Sequence, residues 1–112
     1  MSFECSAWNN GKHHESGAGY GLKISMAGRD QYFKKDWKSV TFKLPSPTGF
    51  TEVELNIDKP SFWNETCHEV ISKEIGVWLR SNGLAPWPSS RPPKFLAETS
   101  GEQSFVLQRA DA

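Results

Sequence analysis

Apolar and polar residues alternate with a period of two in three stretches of this chain, the pattern of strands with one buried face. Tyr20, Leu22, Ile24 and Met26 alternate with Gly21, Lys23 and Ser25. Val40, Phe42 and Leu44 alternate with Ser39, Thr41 and Lys43, and Val53, Leu55 and Ile57 with Glu52, Glu54 and Asn56. The loop Pro45-Ser46-Pro47-Thr48-Gly49 joins the last two as a hairpin. A register that pairs Phe42 with Val53 sets Lys43 opposite Glu52, a favourable cross-strand charge pair.

Shorter signals fill in the rest. Phe3 to Trp8 reads as a first strand, stopped by Asn9-Asn10-Gly11, residues that tolerate positive φ. Lys12 to Gly19 has no apolar anchor and reads as an exposed, mobile loop. Ala27 to Asp30 breaks the second strand, and Asp30 to Lys35 suits one helical turn capped by Asp30 that delivers Tyr32 and Phe33 to the core. Lys94 to Thr99 and Ser104 to Arg109 read as a final pair of strands around Ser100-Gly101-Glu102.

Between them the period changes. Trp63, Cys67, Val70, Ile71, Ile75, Trp78 and Leu79 recur at three- and four-residue steps, with Glu65, Glu69, Ser72, Lys73 and Arg80 on the other side. This predicts one long amphipathic helix after Pro60, started at Ser61 or at the capping-box spacing of Thr66 to Glu69 and ended by a left-handed Gly83, with Leu84 returning to Leu79. Gly76 costs that helix about 1 kcal/mol relative to alanine, so a close backbone approach is expected there. About 22 helical residues span ~33 Å, and the proline-rich strap to Pro93 spans ~34 Å, long enough to return along the helix with Trp87 against Trp78. The expected fold class is therefore α+β: a curved antiparallel sheet or small partly open β-barrel of about six strands with the one long helix.

Length and composition narrow the class. At 112 residues a single domain, residues 1–112, is feasible with one core that buries roughly two-thirds of the unfolded surface. Thirteen basic and thirteen acidic residues give no net charge, so any electrostatic partner must be met locally. Cys5 and Cys67 are too few for a disulfide framework and have no metal-ligand spacing, and they read as reduced, mostly buried thiols. The start, Met1-Ser2-Phe3-Glu4, does not read as a signal peptide with its basic segment and apolar run, and no window reaches the roughly 18 apolar residues of a membrane span. The expectation is a cytoplasmic protein with no membrane partner and no cofactor.

No motif specifies a reaction. His13 and His14 are adjacent and lack further ligands nearby, so no metal is assigned. Cys67 and His68 are neighbours that would not face each other on a helix, and Glu65 and Glu69 read as a solvated face. Gly17, Gly19 and Gly21 precede a strand, whereas a phosphate-cradling glycine loop leads into a helix.

The charge layout is uneven. From residue 23 to 43 the chain carries Lys23, Arg29, Lys34, Lys35, Lys38 and Lys43 against Asp30 and Asp36, and the balance reverses from Leu44 to Ile75. Tyr32, Phe33 and Trp37 are interleaved with the basic group. Cations for phosphates and flat rings for bases are what single-stranded nucleic acid requires. The leading expectation is a non-enzymatic binding module that contacts nucleic acid through Lys23, Arg29, Tyr32, Lys34, Lys35, Trp37 and Lys38, with no catalytic residues. One alternative is a protein-interaction or assembly module using an exposed tryptophan or a free sheet edge. The other is a small enzyme with a cleft near His68 or His13, recognisable by polar groups that lack structural partners.

Overall fold

The computed structural model describes residues 1–88 and 90–110. In chain order the elements are β1 (Ser2–Asn9), β2 (Tyr20–Ile24), α1 (Met26–Tyr32), β3 (Ser39–Ser46), β4 (Gly49–Asn56), α2 (Pro60–Trp63), β5 (Glu69–Ile71), α3 (Lys73–Ser81), β6 (Lys94–Gly101) and β7 (Ser104–Arg109). The strands form one sheet in the order β4-β3-β7-β6-β1-β2-β5. All neighbours are antiparallel except β3 and β7, which run parallel. The edge strands β4 and β5 come back within 8 Å of each other at Cα without a ladder between them. The sheet is thus curled into a half-barrel, in a mixed α+β fold with few and short helices.

The alternation seen in the sequence sets which face is inside. Val53 and Leu55, Val40, Phe42 and Leu44, Phe105 and Leu107, Phe95 and Ala97, Phe3, Cys5 and Ala7, Tyr20, Leu22 and Ile24, and Val70 are all buried. Their registers, such as Phe42 with Val53, Cys5 with Ile24 and Leu22 with Val70, put them on the one concave face. Phe42 pairs with Val53 and Lys43 with Glu52, as the hairpin pattern predicts. The radius of gyration, 13.0 Å, is close to the ~13 Å of a folded chain of about 100 residues.

The strand directions put α1 and α2, which follow β2 and β4, at one end of the half-barrel, and α3, which follows β5, at the other. Phe33 after α1 meets Phe62 of α2 at 5.4 Å and Phe105 at 4.9 Å between ring centroids. At the opposite end the Trp78 indole N–H donates to the Pro45 carbonyl at 2.8 Å, which ties α3 to the end of β3.

The single long helix is not formed, and the sheet has seven strands rather than six. The stripe from Trp63 to Leu79 is divided among α2, the seventh strand β5, and α3, a helix of 9 residues. The break is made by Asn64, whose Oδ1 accepts from the backbone N–H groups of Thr66 at 2.9 Å and Cys67 at 2.7 Å. Such a side chain offers the backbone an alternative to helical bonds. His68 then takes φ 42°, outside the right-handed helical region, and α3 starts afresh after Ser72. The end of the helix is as expected. Gly83 has φ 68°, Leu84 N–H donates to Leu79 O at 2.9 Å and Gly83 N–H to Arg80 O at 3.2 Å, the paired bonds of a Schellman ending.

Three further expectations are corrected. The turn expected from Asp30 is a helix begun at Met26, with Ser25 as the N-cap accepting from Gly28 N–H. The loop expected to lack anchors is held to α3: a Cβ on Gly76 would lie 2.1 Å from the Gly17 carbonyl oxygen, so this is the close approach the sequence suggests for Gly76. The strap does not return along a long helix. Trp87 stands against His13 and Tyr20, at 4.7 and 5.7 Å between centroids, and Pro93 accepts from Ala7 N–H at 2.9 Å, while Trp78 packs on Phe95. Ser89 of the strap lies outside the described residues.

Candidate functional site

The sequence-predicted contact residues separate into two kinds. Arg29 is a structural residue, 5% exposed. Its Nη1 donates to the carbonyls of Phe62 at 2.9 Å and Asn64 at 2.5 Å, and its Nε to Asp30 at 2.9 Å. A buried guanidinium satisfied in this way is unavailable to a phosphate, so its assignment as a nucleic-acid contact is corrected. Tyr32 is half-buried and stacked on Phe3 at 5.3 Å.

Lys34, Lys35 and Lys38 are exposed, and Trp37 is half-buried. The Lys34 ammonium lies 5.8 Å from the Trp37 ring centroid, and that of Lys35 lies 5.9 Å from Trp63. Trp63 was not among the expected contacts, because its place in the apolar stripe reads as core. Its indole N–H donates to Ile57 O at 2.9 Å and fixes the ring on α2 next to Lys35. All five tryptophans are half-buried.

Lys23 lies apart from this group, on the convex face. Ser6 on β1 is directly opposite Lys23 of β2 on one side and Lys94 of β6 on the other. These residues line a groove of about 380 Å³ together with Glu4 and His68. Lys23 Nζ donates to Thr66 O at 3.4 Å. Ser6, Lys94 and Glu4 have no side-chain partner among the described residues.

His68 is fixed by the main chain on three sides. Its N–H donates to Ser61 O at 3.0 Å, its carbonyl accepts from Ile24 N–H at 3.1 Å, and its ring Nδ1 bonds the Ile24 carbonyl. A carbonyl only accepts, so Nδ1 carries the hydrogen and Nε2 is the free ring atom. Arg29 contributes at a distance, because the carbonyls it holds belong to the end of α2 and to the loop that leads into His68. The sequence carries a histidine signal but none for its neighbours, since only the ladder register brings Ser6, Lys23 and Lys94 into one row. Cys5 lies beneath the groove, and burial pushes its thiol up to about 12, which keeps it protonated and a poor nucleophile.

A second polar cluster lies at the α3 end. Arg80 donates to the Tyr20 hydroxyl at 3.3 Å and the hydroxyl is 2.7 Å from His13 Nδ1. Because Arg80 can only donate, the Tyr20 O–H is left to donate to His13. His13 titrates below its ordinary value through burial and the neighbouring Arg80 charge. These bonds tie the loop that carries His13 to β2 and α3, as a latch. Comparison of the chain with protein families, with curated proteins and with solved structures gives no match.

Proposed function

We propose that this protein is a binding module that contacts single-stranded nucleic acid through Lys34, Lys35, Lys38, Trp37 and Trp63. The observation that supports this reading is the placing of two exposed lysines over two indole rings on one short surface. In the free protein each ammonium rests on a ring face, a contact of about 0.5–1 kcal/mol at an exposed site. A base stacking on the ring gains about 1–3 kcal/mol and releases the lysine to a phosphate. The exchange is favourable on both counts. The assignment excludes Arg29 and does not need Tyr32, whose ring is occupied by Phe3.

Titration of short DNA and RNA oligonucleotides, followed by intrinsic tryptophan fluorescence, tests the reading. Three phosphate contacts predict about a twenty-fold loss of affinity between 50 and 200 mM salt, from a slope near −0.7 per contact for single strands. Replacing Lys34, Lys35 and Lys38 with glutamate should abolish binding. Absence of binding to both nucleic acids at 50 mM salt, or binding indifferent to the triple substitution, overturns the proposal.

A further inference from the structure

We infer that the convex-face groove is a second, independent binding site, which takes a small hydroxylated phosphate ester of the sugar-phosphate kind. The row Lys23, Ser6, Lys94 occupies three adjacent strands. At about 4.8 Å between strands, the two lysine Cα atoms are some 10 Å apart with a hydroxyl midway. Long ammonium side chains converge readily over that distance on one tetrahedral oxyanion, and a phosphate accepts from several directions at once. Lys94 and Ser6 have no competing partner among the described residues. Lys23 is steadied by one carbonyl and keeps two further donors. Glu69 is opposite Lys23 on β5, yet forms no ion pair with it.

The remaining polar groups select the rest of the ligand. Glu4 is two residues from Ser6 on the same face, about 7 Å along the strand. A bare anion gains nothing from that carboxylate. His68 presents Nε2, and with Nδ1–H committed to Ile24 O the neutral ring offers a lone pair there. Both groups are acceptors, and both suit ligand hydroxyls. Two cations and a hydroxyl for the oxyanion beside two acceptors for hydroxyls describe a phosphate on a small polyol. The volume of about 380 Å³ is at the small end of ligand pockets. His68 has φ 42°, a conformation rare outside glycine and common where structure is held for binding.

Titration of isotope-labelled protein with glycerol 3-phosphate, inorganic phosphate and glycerol, followed by amide NMR shifts, tests the site. Saturable shifts at Ser6, Lys23, His68 and Lys94 are expected with glycerol 3-phosphate, weaker ones with phosphate and none with glycerol. Lys94→Ala, at an exposed position, and Ser6→Ala, at a half-buried one on the convex face, should each weaken binding several-fold. The triple glutamate variant of Lys34, Lys35 and Lys38 should bind as the parent does, so failure of this site is separable from failure of the nucleic-acid surface. No saturable shift up to about 10 mM, a range that reaches millimolar dissociation constants, overturns the inference. So does unchanged affinity in both single variants. Equal affinity for inorganic phosphate and glycerol 3-phosphate overturns the roles of Glu4 and His68 and with them the ligand class.

Discussion

Gly76 shows how one missing atom decides a local arrangement. A glycine inside a helix is ordinarily worth replacing, because alanine gains about 1 kcal/mol. Here the added carbon would sit 2.1 Å from Gly17 O and 2.6 Å from Gly17 Cα, and both are backbone atoms that cannot rotate away. Overpacking of this kind costs about 1–3 kcal/mol, so Gly76→Ala is expected to be destabilising on balance, measurable as a lower urea midpoint. A higher midpoint would show that the loop yields easily. The need for a close approach at Gly76 was legible from composition, but its partner Gly17 was not, because the two are remote in sequence. Arg29 was misjudged for a related reason. A charged side chain in a basic run reads as surface, and only the carbonyls of Phe62 and Asn64, supplied by another element, turn it into a buried clamp.

Among the elements, six of the seven strands were legible, while β5 and the division of the helix were not. Alternation from Ser39 to Leu44 and from Glu52 to Ile57 leaves little ambiguity, since a shift by one residue would expose the whole core set. The stripe from Trp63 to Leu79 satisfies a helical period, yet three competing local preferences divide it: the Asn64 side-chain turn, the positive φ at His68, and the ladder between β5 and β2. β5 is only 3 residues long, too short for a period of two to declare itself. The candidate groove depends on this break, because a continuous helix would carry His68 away from Ile24. The loop from Asn10 to Gly19 gives the element-level prediction. Its His13 accepts from Tyr20 and faces the Arg80 charge, so its folded-state affinity for a proton is below that of the unfolded chain. The latch therefore contributes fully above about pH 6.5, the unfolded value, and its contribution is lost as pH falls below that, because the unfolded chain then binds the extra proton. Thermal melts between pH 5 and 8 should show a step in stability that His13→Asn removes; an identical pH profile in that variant would rule the latch out.

At the scale of the whole molecule, β4 is the long open edge of the half-barrel. No backbone bond beyond its ladder to β3 reaches residues 49–56 among the described residues, and such an edge invites pairing with another copy. An antiparallel pair of β4 strands centred on Val53 would set Glu52 of one against Glu54 of the other on the convex face. Like charges directly opposite are destabilising, and this repulsion opposes such pairing. The protein is expected to elute as a monomer in light-scattering chromatography, and Glu52→Val with Glu54→Val to associate at tens of micromolar. A monomeric double variant would mean that curvature, not charge, guards the edge.

The parallel contact of β3 with β7 has a consequence in time. Strands β1, β2 and β5 make one group and the hairpin β3–β4 another, and the sheet order joins their ladders only through β6 and β7, residues 94–109. Thr99 N–H closes onto Met1 O across 98 positions of chain. Before that last hairpin is made, the two groups have no common ladder, and each carries half a hydrophobic lining without its counterpart. The wall is therefore completed in its middle: the last hairpin of the chain joins two open leaves into one curled sheet.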